Sequence, residues 1–110
     1  MDYTEEVNNN RLILHLEGNL DMLNAGILKE RMMEAVVAHY NCIILDMSKV
    51  TFVDSSGFGL LIMVNEKLKL DGQNKLRIAN VSKSIQQVFR ISKISEVVDV
   101  YLTLEDATRS

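Results

Sequence analysis

Residues 50–61 read Val50-Thr51-Phe52-Val53-Asp54-Ser55-Ser56-Gly57-Phe58-Gly59-Leu60-Leu61. Small hydroxyl residues here interrupt two apolar runs where a helix should begin. Asp54, Ser55 and Ser56 are all good N-cap residues, and Leu60 to Leu70 contains only strong or tolerable helix formers, so a helix is expected to open near Ser55 or Ser56. Its first-turn amides would point towards the serines. A phosphate added there could accept hydrogen bonds from those amides and interact favourably with the positive end of the helix dipole, while Asp54 would oppose the new charge. The segment can therefore be read as a chemical switch. The plainer alternative is that the serines only cap the helix and that Gly57 and Gly59 allow close packing.

The rest of the chain supplies the frame. Tyr3 to Val7 and Arg11 to Glu17 flank Asn8-Asn9-Asn10, a turn-forming cluster, and Leu12, Leu14 and Leu16 alternate, which predicts a β-hairpin. Gly18-Asn19-Leu20-Asp21 breaks that alternation. From about Asn24 the residues Leu28, Met32, Ala35 and Val36 recur at helical spacing as far as Tyr40. Cys42 to Asp46 is a short apolar run suited to a strand buried on both faces. A second helix, Ser56 to Leu70, should end at Asp71-Gly72-Gln73-Asn74 with a glycine C-cap, and Lys75 to Ala79 should form another strand. Ser82 can cap a third helix whose Ile85, Val88 and Phe89 share one face. Val97 to Leu102 offers a last strand, and Thr103 with Asp106 leaves room for a short helical turn. Strands alternating with helices after a hairpin give an α/β class, α+β on a stricter definition, with helices packed on a mixed sheet.

Length and composition narrow the function classes. The 110 residues suit one compact domain over residues 1–110, and 47% hydrophobic with 25% charged residues is an ordinary globular balance. No apolar run approaches the roughly 20 residues of a membrane-spanning helix, so no membrane role is expected. The N-terminus lacks the basic start and apolar stretch of a secretory signal, which favours the cytoplasm. A net charge of -3 with dispersed Lys and Arg gives no stripe for a phosphate backbone, so nucleic acid is not an expected partner.

The chemistry-bearing residues outside the serine segment are few. Cys42 is the only cysteine and reads as a small buried strand residue. His15 should point outward from a strand, and His39 should lie in the last turn of the first helix. Neither has a metal-ligand spacing or an evident orienting partner, so no metal and no hydrolase are implied. Val53 and Asp54 also stand where a nucleophile elbow needs glycine and its neighbour, and no Gly-x-x-x-x-Gly-Lys loop is present to hold a nucleotide. No cofactor is expected. The second helix is apolar nearly all round from Phe58 to Val64, so its surplus must meet another helix or a partner, while Lys67 and Lys69 read as a solvated face.

Asp46 through Leu61, centred on Asp54-Ser55-Ser56-Gly57-Phe58-Gly59, resembles the signature segment of the anti-sigma factor antagonists, bacterial members of the STAS domain family. Gly18-Asn19-Leu20-Asp21 resembles that family's Gly-x-Leu-Asp turn, and Leu76 to Ile91 is similar to its later strand and helix. The resemblance covers essentially the whole chain and implies a STAS-like mixed sheet with an N-terminal hairpin. It further implies a non-enzymatic module that binds, when unphosphorylated, an anti-sigma factor with serine-kinase activity and so frees the sigma factor. A phosphoserine phosphatase would reset it, and a monomer or weak homodimer would be its form. By position, Ser55 would be the phosphoacceptor, Ser56 a supporting cap or contact, and Asp21, Asp54, Gly57 and Phe58 parts of the partner-binding site. Asn19 stands where the family often has an acidic residue, Phe58 is bulkier than usual, and the C-terminal helix looks short. The alternative is a non-switching STAS scaffold or adaptor in a larger signalling or transport complex.

Overall fold

The computed structural model describes residues 1–70, 72 and 76–109. Strands β1 (Asp2–Asn8) and β2 (Arg11–Leu20) form an antiparallel hairpin. Asn9 and Asn10 both take left-handed backbone angles, φ 52° and 59°, the conformation that a tight two-residue hairpin turn requires and that asparagine tolerates. Helix α1 (Ala25–Val37), strand β3 (Cys42–Val53), helix α2 (Ser55–Leu70), strand β4 (Arg77–Ala79) and helix α3 (Lys83–Ser92) follow. A short 3-10 turn (Ile94–Glu96), strand β5 (Asp99–Tyr101) and helix α4 (Leu104–Arg109) complete the order. The sheet runs β1-β2-β3-β4-β5, with every pair after the hairpin parallel, so each of α1, α2 and α3 is a crossover between neighbouring strands. The mixed sheet with packed helices expected from the sequence is the one found.

Strand alternation divides the core. Leu12, Leu14, Leu16, Ile43, Leu45 and Met47 face α1, α2 and α3, meeting Leu28, Met32, Leu61, Val64, Ile85 and Phe89 in one large cluster. The intervening positions Ile13, Cys42, Ile44 and Ala79 make a second, smaller cluster under Ala107 and Leu104 of α4. Cys42 is free and buried there, and burial pushes its thiol pKa up.

Several elements differ from their expected bounds. The turn expected at Gly18 to Asp21 does not stop β2, which runs to Leu20, and β3 continues to Val53 rather than ending at Asp46. Register shifts between His15 and Glu17 and between Gly18 and Asn19, with Gly18 at φ 106°, displace the alternation, so the pattern breaks while the pairing persists. α1 ends at Val37, and His39 lies beyond it at φ 59°, its N–H bonded to the Val36 carbonyl at 3.1 Å; it closes the helix as a left-handed C-terminal residue. Val88 is exposed on α3, whereas Ile85 and Phe89 are buried. β5 spans only Asp99–Tyr101, because the preceding residues tighten into the 3-10 turn. Of the turn expected after α2, Gly72 takes φ 75° and donates to Lys69, while Asp71, Gln73, Asn74 and the strand start at Lys75 lie outside the described residues.

On the α4 side of the sheet, beyond the small cluster, lies a titratable group that the sequence did not announce. His15 Nδ1 meets Asp46 Oδ2 at 2.6 Å and its Nε2 meets Glu6 Oε1 at 3.1 Å. Asp46 Oδ1 also accepts from Asn80 Nδ2 at 3.0 Å and from the Ser48 N–H at 3.1 Å. His15 therefore has two orienting partners, contrary to the expectation of none. Both ring nitrogens face carboxylates, which leaves neither free to take a proton from a serine.

Candidate functional site

The site forms where two neighbouring parallel strands end together. Leu20 pairs with Val53, so Asp21 and Asp54, each the next residue, leave the sheet side by side. Asp54 is fixed by its backbone first: its N–H donates to the Leu20 carbonyl at 3.1 Å. Its carboxylate then does two things. Oδ1 accepts the Gly57 N–H at 3.1 Å, and Oδ2 accepts the Met22 N–H at 3.2 Å. Asp54 is thus the N-cap of α2. This corrects the assignment of the cap to Ser55 or Ser56: those residues are the first two of the helix, past the capping position.

Asp21 builds the facing loop. Its Oδ1 accepts from the Leu23 N–H at 3.1 Å, the Asn24 N–H at 3.2 Å and Asn24 Nδ2 at 3.1 Å, and its carbonyl accepts the Ala25 N–H at 2.8 Å. These bonds fold residues 21–24 into a turn that opens α1. Asn19 joins the same frame, accepting from Thr51 Oγ1 at 2.7 Å and, through its carbonyl, from Asn24 Nδ2 at 2.9 Å. Two loops following β2 and β3 are therefore one hydrogen-bonded unit.

Ser55 is exposed on the first turn of α2 and Ser56 is half-buried towards α1, where Gly26, Lys29, Gly59 and Met63 line a shallow groove with it. The N–H groups of Ser55 and Ser56 have no acceptor among the described residues, as befits a helix start. They are donors available to an anion, beside a carboxylate already occupied by two N–H bonds.

Gly57 and Phe58 act through packing. Gly57 is buried, and a β-carbon added to it would sit 2.7 Å from the Leu20 carbonyl oxygen and 2.9 Å from Leu20 Cγ and Val53 Cγ1. The first turn of α2 therefore lies directly on the ends of β2 and β3, which no other residue permits. Gly59, by contrast, has nothing within 4 Å of such a carbon, so the close-packing role expected of both glycines belongs to Gly57 alone. Phe58 is half-buried and meets Phe89 of α3 edge to face, with ring centroids 5.5 Å apart at 64°.

Most of the apolar surplus of α2 goes inward: Leu60, Leu61, Val64 and Leu68 are buried, with Ile62 and Leu70 exposed. The exposed apolar surface beside the serines comes instead from the loop that Asp54 ties down, with Met22 75% and Leu23 84% exposed and Ile27 following on α1. Sequence reasoning missed these three, because a short apolar pair before a helix looks like an ordinary core contribution until the turn is seen. It also missed Asn65 of α2, which is fully buried and bridges Leu76, accepting its N–H at 2.9 Å, to Val97, donating to its carbonyl at 3.0 Å. Among the described residues no group of three or more His, Cys, Asp or Glu could hold a metal, and no helix is long and apolar enough to cross a membrane.

Comparison with known proteins gives a consistent answer. Residues 3–107 match the family described as STAS domain. An anti-sigma factor antagonist from Mycobacterium paratuberculosis superposes with a TM-score of 0.87 at 20% identity, covering 98% of this chain and 91% of that one. The Bacillus cell fate determinant SpoIIAA in its phosphorylated form gives 0.74 at 22% identity, covering 98% of each chain. Murine solute carrier 26 family member A9, an anion transporter in the inward-facing state, gives 0.77 at 19% identity over 93% of this chain but only 18% of the transporter.

Proposed function

We propose, from the premise that the chain belongs to the STAS domain family, that it is an anti-sigma factor antagonist switched by phosphorylation of Ser55. One observation carries the reading: Ser55 is an exposed hydroxyl on the first turn of α2, flanked by unbonded helix-start amides and by the exposed apolar residues Met22 and Leu23. Unmodified, this surface is neutral at the serine and apolar beside it, which suits docking to a protein partner.

The partner would be an anti-sigma factor with serine-kinase activity, and its occupation by this chain would free the sigma factor. The kinase partner would supply ATP: the Ser55 hydroxyl oxygen bonds the γ-phosphorus, ADP leaves, and the hydroxyl proton passes to a base of the partner. The resulting phosphate is dianionic and lies one residue from Asp54, whose carboxylate is held in place by Met22 and Gly57 and cannot swing away without losing the cap. Burying that pair of charges against a partner is unfavourable, and a change of only about 1.4 kcal/mol weakens binding tenfold. A phosphoserine phosphatase would restore the binding form. Asp21 and Asp54 shape the docking surface, Ser56 borders it, and Gly57 and Phe58 support it from beneath. The chain itself would act by binding, in the cytoplasm, without a cofactor.

Native lysate supplied with ATP, followed by phosphosite mapping and binding assays on the captured kinase, tests this reading. Ser55→Ala is expected to bind and never be released, and Ser55→Asp to bind poorly. Equal affinity of the partner for the unmodified and Ser55-phosphorylated protein would sink the mechanism, and phosphate on Ser56 alone would move the acceptor by one residue.

A second reading, a non-switching adaptor within a larger complex, is favoured by the likeness to a segment of an anion transporter. Light scattering separates the two: a large homo-assembly supports the adaptor, and a monomer or weak homodimer supports the switch.

A further inference from the structure

A cavity of about 450 Å³ opens between α3 and β5, lined by none of Ser55, Ser56, Asp21 and Asp54. It lies at the carboxyl ends of the parallel strands β4 and β5. Its volume falls in the range of small-molecule pockets. The walls are largely apolar: buried Phe89 and Val81 line it with Val100 and Leu102, Leu102 being 76% exposed, while the Tyr101 ring packs on the small cluster of the opposite sheet face.

Two exposed cations also line it. Arg90 belongs to the last turn of α3, and Lys93 follows it with a left-handed backbone at φ 59°, a conformation uncommon for a residue with a side chain. Neither side chain makes an ion pair with a described residue. Glu96 lines the same cavity, which leaves one net positive charge over an apolar interior.

We infer that this cavity binds a small apolar carboxylate, with its hydrocarbon body against Phe89, Val100 and Leu102 and its anionic end at Arg90 and Lys93. An apolar body needs those walls, and a single negative charge matches the net charge of +1 that Arg90, Lys93 and Glu96 leave there. A cationic amphiphile would meet a net charge of its own sign despite Glu96, and a neutral one would leave that net charge unmatched.

Titration of the chain with sodium octanoate, octanol and octylammonium, followed by backbone amide NMR, tests the inference. Octanoate is expected to give saturable shifts centred on Phe89, Lys93 and Tyr101, with octanol about tenfold weaker and octylammonium weaker still. The exposed double substitution Arg90→Gln/Lys93→Gln should bring octanoate down to the affinity of octanol. The inference is overturned if octanoate gives no saturable shifts there, or if octanol or octylammonium binds as well as octanoate. Unchanged octanoate affinity in the double variant overturns it too, since the two cations would then serve only the negative end of α3. The comparison of the three probes on the unaltered chain stands whether or not the variant folds. None of these outcomes bears on Ser55, so failure here and failure of the switch are separate results.

Discussion

The Asp54 carboxylate accepts the Met22 N–H at 3.2 Å across the gap between the loops that follow β2 and β3. Its other oxygen caps α2 at Gly57, so one side chain sets both the start of a helix and the pose of the apolar loop beside it. This is why a residue adjacent to the proposed acceptor can matter without meeting a partner.

Removing that carboxylate separates the two roles. Asp54→Ala should lower stability by about 1 to 2 kcal/mol in urea denaturation, through loss of the cap and of the Met22 acceptor. Asp54→Asn keeps one capping oxygen for Gly57 but presents an NH2 that cannot accept the Met22 N–H, so it should lose about half as much. Equal losses for the two would mean that the cap bond to Gly57 contributes little and the Met22 bond or the charge holds the unit together.

The two glycines of the segment should respond in opposite directions. Gly57→Ala drives a β-carbon against the Leu20 carbonyl and two core side-chain atoms, so overpacking of about 1 to 3 kcal/mol outweighs the better helix propensity of alanine. Gly59→Ala meets nothing within 4 Å and should raise stability by up to about 1 kcal/mol. Melting temperatures of the two variants check the sign directly.

Asn65 satisfies a backbone donor at Leu76 and a backbone acceptor at Val97 from a fully buried position. Asn65→Ala should cost about 2 to 3 kcal/mol, since both backbone groups lose their partner where water cannot readily replace it. Hydrogen exchange at the Leu76 amide should accelerate by more than exchange in β2, and a uniform acceleration would show that the effect is only global.

The cluster around His15 makes stability depend on pH. Its hydrogen bond to Asp46 raises the His15 pKa above 6.5; burial opposes this and Glu6 adds to it. For Asp46, burial would push the carboxyl up, but the hydrogen bonds from Asn80, His15 and Ser48 outweigh it and hold the pKa below 3.8. A raised histidine contributes stability that is complete below 6.5 and is lost as pH climbs through the folded-state value. A lowered carboxyl contributes above 3.8 and is lost as pH falls through its folded-state value. The cluster should therefore stabilise most between those two ordinary values and fade on the alkaline side. Denaturation at pH 6 and pH 8 should show a loss in the parent that His15→Gln reduces, and an NMR titration placing His15 below 6.5 would refute the account.

Local chemistry was legible in the chain itself. The asparagine turn of the hairpin, the helical spacing of Leu28, Met32, Ala35 and Val36, the cap at Ser82 and the burial of Cys42 all follow from interactions within a few residues or from the volume and polarity of one side chain. So did the alternation of strands and helices that specifies the mixed sheet, and the segment around Ser55 as the place to look. What the chain could not state on its own are relationships between residues far apart in it. That Asp54 rather than a serine caps α2 depends on where Leu20 and Met22 lie, 34 and 32 residues earlier by the numbering. The length of β3 was hidden because two register shifts, each with an extra residue on β3, break its period-two pattern while preserving the ladder. His15 became a double carboxylate ligand only when β1 and β3 arrived on either side of β2, and Gly57 became indispensable only when α2 was laid on two strand ends. Periodicity and propensity are properties of a short window, whereas hydrogen-bond satisfaction and close approach are decided by the pairing of distant segments.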